Sequence, residues 1–315
     1  MDIRVSMTLK GKDIISIFDL TPQDILNLFQ GAERVRKTPR EKLLEVARGK
    51  VMACLFFEPS TRTRMSFIYA MLRLGGGVAD LGPLQATSVA KGETLADTVR
   101  MIDGYETDLI VLRHRLEGAS KLAAEIAEAP VINGGDGSRE HPTQALLDLY
   151  TMWRIFKRID GLKVGILGDL RYGRTPSSLS FALSMFQGVK IYFIAPEILQ
   201  VREELVKRIE GRVEYTKTDD LRAVLPELDV LYVTRIQKER FPDPEEYARV
   251  KGIYRVDRKL LTETGSQPII LHPLPRVDEI SPDVDSLPNA KYFEQASNGV
   301  FVRAALIAEV LGLRF

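Results

Sequence analysis

The sequence predicts an α/β fold of two domains, each a parallel sheet flanked by helices. Three observations carry this. Apolar runs of strand length alternate with helical patterns along most of the chain, the order that builds parallel sheets. Those runs are mostly continuous, as expected for strands covered on both faces. The 315 residues exceed the size at which one hydrophobic core usually stops growing, so a second domain is expected.

The elements follow in order. Thr21-Pro22-Gln23-Asp24 places a capping hydroxyl before Pro at the first helical position, and Ile25, Leu28, Phe29, Ala32 and Val35 then share one face. Val51–Phe57 reads as a buried strand. A helix runs from about Thr61 to Leu74 and is stopped by Gly75-Gly76-Gly77. Leu109–Leu112 and Val131–Ile132 are further strands. Pro142 to Lys157 is one long helix with the stripe Leu146, Leu149, Tyr150, Trp153 and Phe156. Gly161 follows, and a new strand–helix series begins with Val164–Leu167, Lys190–Ile194, Val230–Val233 and Ile269–Leu271. A last helix, about Ala304 to Leu311, has no strand after it. We expect residues 1–141 with 295–315 to form one domain and 142–294 the other.

Composition excludes several classes of function. Lys plus Arg is 44 and Asp plus Glu is 43, so a net charge of +1 supplies no global field for nucleic acid or an anionic membrane. Any anion must be held by a local cluster of cations. The single cysteine, Cys54, rules out an intrachain disulfide and a multi-cysteine zinc site; its apolar surroundings predict a buried structural thiol. No apolar stretch approaches the ~18 residues that span a bilayer, and the N-terminus lacks the apolar region of a signal peptide. A cytoplasmic protein is expected.

The residues that carry chemistry cluster after the strands. Glu58-Pro59-Ser60-Thr61-Arg62-Thr63-Arg64 lies between a strand and a helix, where hydroxyls and unpaired N–H groups at a helix N-terminus suit an oxyanion, phosphate above all. Arg62 and Arg64 add planar forks of donors. A lone Ser or Thr there is more often a plain N-cap, but three hydroxyls and two arginines within five residues favour a ligand. The segment is not a P-loop, and Val164-Gly165-Ile166-Leu167-Gly168-Asp169 lacks the dinucleotide glycine fingerprint. Arg113, His141 with Gln144, Arg174 with Thr175, Arg235 with Gln237, and His272-Pro273-Leu274-Pro275-Arg276 each follow another strand. Open α/β sheets bind ligands beyond the carboxyl ends of their strands, so two arginine-rich half-sites are expected to face one cleft between the domains. Such a cleft wants acidic substrates. Alone, Arg113 or Arg235 reads as an ion-pair residue, His141 as a helix-start residue, and Ser88-Val89-Ala90-Lys91-Gly92-Glu93 as a polar loop. His114 and His272 are assigned structural roles. No catalytic triad spacing, zinc-protease motif or tight acidic cluster occurs, so no metal is expected.

Together these motifs resemble the aspartate/ornithine carbamoyltransferase family. Ser60-Thr61-Arg62-Thr63-Arg64 is similar to its carbamoyl-phosphate motif and His141-Pro142-Thr143-Gln144 to its second motif. His272-Pro273-Leu274-Pro275-Arg276, Arg235-Ile236-Gln237-Lys238-Glu239-Arg240 and Ser88…Lys91-Gly92-Glu93 resemble the aspartate branch. The likeness runs from about Leu20 to Arg303, nearly the whole chain.

The resemblance implies a catalytic chain that carbamoylates L-aspartate in pyrimidine synthesis, as a homotrimer with shared active sites and no cofactor. It implies that Ser60, Thr61, Arg62, Thr63 and Arg113, with a neighbour's Ser88 and Lys91, hold carbamoyl phosphate. Arg113, His141 and Thr63 would face the carbonyl oxygen; Gln144, Pro273 and Leu274 would accept from the carbamoyl nitrogen. Arg174, Thr175, Arg235, Gln237, Leu274 and the neighbour's Lys91 would take aspartate. Glu58, Arg174 and Arg240 are implied as bridges formed on domain closure, and Leu274-Pro275 as a candidate cis peptide. Tyr172-Gly173-Arg174-Thr175 resembles the branch that joins separate zinc-containing regulatory chains. Ile68, Arg115 and Gly134 depart from the residues usual in the family (Glu, Pro and Ala), without removing a ligand.

Overall fold

The computed structural model describes residues 9–236 and 244–314. The chain divides into two compact units, Met1–Leu146 with Asn298–Phe315, and Leu147–Ser297.

The first unit is built on four strands, β1 (Val51–Phe56), β2 (Gly77–Asp80), β3 (Leu109–His114) and β4 (Val131–Asp136), ordered β2-β1-β3-β4. All pairs are parallel; Met52 faces Leu109 and Cys54 faces Val111 across β1 and β3. Helices α1 (Pro22–Lys37), α2 (Arg40–Leu43), α3 (Thr61–Arg73), α4 (Leu95–Asp103) and α5 (Ala119–Ile126) accompany the sheet. The apolar runs explain the core: Ala53, Leu55, Val99, Ile110, Leu112, Ala123 and Val131 form one buried cluster. α1 starts at the predicted cap. Asp24 N–H donates to Thr21 Oγ1 at 3.1 Å and Thr21 N–H to Asp24 Oδ2 at 2.9 Å, a capping box worth roughly 1 kcal/mol.

The glycine run after α3 does more than stop a helix. Gly75 has φ +83°, and a Cβ there would sit 1.7 Å from the Leu44 carbonyl oxygen, so the position needs glycine on both counts. Gly77 then opens β2, a strand the sequence pattern does not reveal. β2 lies at the sheet edge and is mostly exposed, so no apolar run marks it.

The second unit carries β5 (Lys163–Leu167), β6 (Lys190–Ile194), β7 (Glu214–Thr218), β8 (Val230–Val233) and β9 (Ile269–Leu271), parallel and ordered β7-β6-β5-β8-β9. α6 (Pro142–Phe156) precedes the sheet; α7 (Arg174–Leu183), α8 (Glu203–Ile209), α9 (Leu221–Val224), α10 (Pro244–Val250), α11 (Arg258–Thr264) and α12 (Tyr292–Leu311) follow in order. Leu167, Ile194, Leu225, Val233, Ile270 and Val284 belong to its core cluster. β7 is the other unanticipated strand, again an edge with no buried residue. α12 starts three turns before the expected Ala304, because polar Gln295 and Asn298 break the apolar pattern although both are buried. The unit boundary falls inside α6 and inside α12, so both helices belong partly to each unit. Among the described residues no helix is long and apolar enough to cross a membrane.

Candidate active site

Each sheet reverses its strand order at one place, and several of the residues singled out in the sequence follow the strands that meet there. In the first unit the chain passes from β1 to β2 on one side and places β3 on the other side of β1. The crevice between the ends of β1 and β3 is such a switch point. It receives the segment 58–64 from β1 and Arg113 from β3.

The local geometry favours a ligand over simple capping. Ser60 is the N-cap of α3, yet its side chain makes no capping hydrogen bond. Thr61 and Arg62 are exposed in the first turn, and Thr63 is buried behind them. Thr63 Oγ1 lies 3.1 Å from Nε2 of the buried His141, which stands just before α6. One turn on, Gln144 is also buried. Arg113, 9% exposed, donates from NH1 to the Gly134 carbonyl at 3.3 Å and from NH2 to Glu58 Oε1 at 3.0 Å. The structure therefore pairs Thr63 with His141 and Arg113 with Glu58.

Arg64 is a correction. Its guanidinium is clamped by Asp80, with Nε donating to Oδ2 at 2.6 Å and NH2 to Oδ1. Asp80 ends β2 beside Cys54 of β1, so the unanticipated edge strand takes this fork away from a ligand. The pairing holds the Arg64 pKa above its ordinary value.

A cavity of about 590 Å³ opens beside this crevice, lined in part by Phe57, Glu58, Ser60, Arg64, Leu84 and Arg115. Ser88 and Lys91 are exposed on a short 3-10 turn, Ser88–Lys91, closed by Gly92 at φ +96°.

The second unit repeats the arrangement. β5 leads to β6 on one side, while β8 flanks β5 on the other. Arg174 is the first residue of α7 after β5, 6% exposed, with Thr175 half-buried beside it. Arg235 follows β8 and is half-buried. Gly168 lets the two strand ends meet: its φ is +119°, and a Cβ would come within 2.3 Å of the Thr234 carbonyl oxygen. Pro273 and Leu274 follow β9, next in the sheet; Leu274 has φ +57° and its peptide bond to Pro275 is cis. Gln237 and Arg240 lie outside the described residues.

Several residues that hold the site escape a reading of local sequence. Buried Glu140 accepts from Ile17 N–H at 3.1 Å and Ser16 Oγ at 2.9 Å, anchoring the turn that presents His141. Arg303, 2% exposed, donates to Thr143 Oγ1 at 3.2 Å and lies over the Phe67 ring at 5.0 Å. His272 is enclosed by hydrogen bonds to Glu279 and Leu274 N–H. A charged residue inside an apolar helical run, as at Arg303, is the one signal available beforehand. Among the described residues no group of three or more His, Cys, Asp or Glu side chains could hold a metal ion.

Fold and site together define a two-unit α/β protein with arginines and hydroxyls gathered at the switch point of each sheet. Comparison with known proteins gives the family. Residues 12–154 match the family model "Aspartate/ornithine carbamoyltransferase, carbamoyl-P binding domain", and residues 160–310 match "Aspartate/ornithine carbamoyltransferase, Asp/Orn binding domain". The aspartate carbamoyltransferase catalytic subunit of Thermococcus gammatolerans is 55% identical, over 98% of this chain and 100% of its own length. The catalytic subunit of M. jannaschii aspartate transcarbamoylase superposes with a TM-score of 0.86 at 48% identity, covering 96% of this chain and 98% of that one. The Trypanosoma cruzi aspartate transcarbamoylase, solved in complex with carbamoyl phosphate and aspartate, gives 0.92 at 38% identity over 97% and 98%. The chain belongs to the aspartate/ornithine carbamoyltransferase family.

Proposed function

We propose that this protein transfers the carbamoyl group of carbamoyl phosphate to the amine of L-aspartate, giving N-carbamoyl-L-aspartate and phosphate. One observation carries the reading: hydroxyls and Arg113 meet at one switch point, while Arg174 and Arg235 flank the other. A mixed anhydride of phosphate suits the first set and a dicarboxylate the second. Ornithine would instead call for an acidic residue beside its side-chain amine.

The chemistry needs little beyond position and charge. The aspartate nitrogen attacks the carbamoyl carbon, a tetrahedral oxyanion forms, the carbon–oxygen bond to phosphate breaks, and the amine proton leaves with the departing phosphate. No covalent enzyme intermediate is required. Ser60, Thr61, Arg62, Thr63 and Arg113 hold the phosphate, with the partner subunit's Ser88 and Lys91. Arg113, His141 and Thr63 donate to the developing oxyanion. Gln144 and the carbonyls of Pro273 and Leu274 accept from the carbamoyl nitrogen. Arg174, Thr175, Arg235, Gln237, Leu274 and the partner subunit's Lys91 bind aspartate; paired N–H donors of an arginine fix a carboxylate's direction as well as its place. Residues 1–141 with 295–315 act as the carbamoyl-phosphate domain and 142–294 as the aspartate domain.

The exposure of Ser88 and Lys91 on their turn supports the homotrimer, because a solvated lysine is free to serve a neighbour. A cytoplasmic setting, a place in pyrimidine biosynthesis and a separate zinc-containing regulatory chain rest on the family resemblance.

The test uses purified chain with labelled carbamoyl phosphate, offering aspartate and ornithine in parallel. Carbamoyl-aspartate alone is the expected product. Citrulline would overturn the acceptor assignment, and no product from either amine would overturn the activity.

A further inference from the structure

We infer that His272 is a positioning residue for the loop that meets the carbamoyl nitrogen: its imidazole, held in one tautomer by Glu279, fixes the direction of the Leu274 backbone. The inference rests on the role proposed above for Leu274. It replaces the merely structural role that the sequence assigns to this histidine.

The geometry decides the tautomer. His272 is 1% exposed and Glu279 6%. Leu274 N–H lies 2.7 Å from His272 Nδ1. A backbone N–H can only donate, so Nδ1 must present its lone pair. The ring proton then sits on Nε2, which is 2.6 Å from Glu279 Oε1. An ionised carboxylate can only accept, so the two contacts agree on one neutral tautomer with the proton on Nε2.

Glu279 is itself fixed. Its Oε2 accepts from the N–H groups of Val277 and Asp278, each at 3.1 Å. Burial pushes the carboxyl pKa up, but the His272 hydrogen bond and the backbone donors outweigh it and leave the group below its usual value. The main chain is tied too. His272 N–H donates to Gln295 Oε1 at 2.8 Å, and Gln295 Nε2 donates to Asp148 Oδ1 at 2.6 Å. Helices α6 and α12 thus anchor the residue behind the loop.

This arrangement has a specific task. Leu274 sits at φ +57°, in the left-handed region that a branched side chain seldom visits. An acceptor aimed at its N–H stabilises that conformation, and with the amide plane set, the neighbouring carbonyls point one way. Buried polar groups with all partners in place are how a protein holds a reacting atom to a fraction of an ångström.

The experiment uses the full chain and three variants, Glu279→Gln, His272→Asn and His272→Gln. In E279Q the side-chain amide can donate to Nε2; the ring proton then moves to Nδ1 and opposes Leu274 N–H. H272N keeps an acceptor at the place of Nδ1, whereas H272Q keeps only a donor toward Glu279. Loss of the oriented hydrogen bond is expected to lower kcat/KM for carbamoyl phosphate about tenfold in E279Q and H272Q, with H272N within about threefold of the parent. Affinity for inorganic phosphate is expected to stay within about twofold, because phosphate lacks the carbamoyl nitrogen that this loop is proposed to meet. Nitrogen-15 NMR resolves the tautomer among only three histidines. His272 is expected in the Nε2–H form, changing to Nδ1–H in E279Q, with faster hydrogen exchange of the Leu274 amide. H272N as impaired as H272Q would show that only ring packing matters and would overturn the inference. So would an Nδ1–H ring in the parent protein. If the parent binds no carbamoyl phosphate, the proposed function fails, while the tautomer and the Leu274 exchange rate still decide this inference.

Discussion

Glu58→Gln tests whether the ion pair at the first switch point restrains Arg113. Arg113 donates to Glu58 Oε1 at 3.0 Å, with side-chain exposures of 10% and 26%. In the proposed function the phosphate takes the same guanidinium, so the pair would compete with the ligand. A hydrogen bond between charged groups contributes about 1.5–3 kcal/mol and a neutral acceptor about 0.5–1.5 kcal/mol. The difference is about 1 kcal/mol after allowance for the solvent that reaches Glu58. Removing the negative charge while keeping the shape therefore frees Arg113 by about 1 kcal/mol, and inorganic phosphate is expected to bind roughly fivefold tighter. The same change costs the folded protein about 1 kcal/mol, because a nearly buried guanidinium loses its counter-charge. The thermal midpoint should fall by about 1–3 °C. Calorimetric titration of both forms with phosphate, beside a thermal melt, reads the two effects separately. Phosphate affinity that is unchanged or weaker in E58Q would refute the competition. An unchanged KM for aspartate would also remove the bridging role that the family resemblance implies for Glu58.

Three further outcomes follow from the packing. The Cys54 thiol is pushed up to about 12, first by burial and then by the Asp80 charge, so Ellman's reagent should titrate no thiol in the native protein and one after unfolding in guanidinium. Gly75→Ala should destabilise by about 2 kcal/mol or more, seen as a lower denaturant midpoint at unchanged slope; the added methyl has both a positive φ and the Leu44 carbonyl against it. Burial, with the Arg115 charge adding to it, lowers the His114 pKa, so the folded protein binds fewer protons there than the unfolded chain. That contribution to stability is present above the unfolded value of about 6.5 and is lost as pH falls through the folded one. His114→Asn, which keeps an acceptor for Leu116 N–H, should flatten the decline in stability below about pH 6.5; an identical decline would assign it to other groups.

What can be seen from sequence divides along physical lines. Seven of the nine strands among the described residues announce themselves because buried parallel strands need apolar side chains on both faces; β2 and β7 do not, because these two edge strands bury no residue, whereas the edges β4 and β9 are buried and carry apolar runs. The segment Ser60–Arg64 stands out for a different reason: its hydroxyls and arginines are consecutive, so the cluster is visible without a fold. Arg64 shows the limit of that reasoning. Its partner Asp80 comes from an edge strand with no sequence signal, so a residue of the right type in the right segment is spent on structure. His272 shows a different limit. Nothing in His-Pro-Leu-Pro says that the ring will turn back onto Leu274 N–H while Glu279 closes from seven residues on; only the fold supplies both partners. The arginines after β3, β5 and β8 look dispersed in sequence, but strand order gathers them. Where successive strands depart to opposite sides of a shared neighbour, the helices that follow leave on opposite faces, and the loops between them open a crevice that backbone alone cannot fill. Arg113 follows β3 next to β1 and its Ser60 loop, and Arg174 and Arg235 follow the neighbouring strands β5 and β8, so the order of the strands is what brings loops distant in sequence to the two switch points where the proposed function puts its anions.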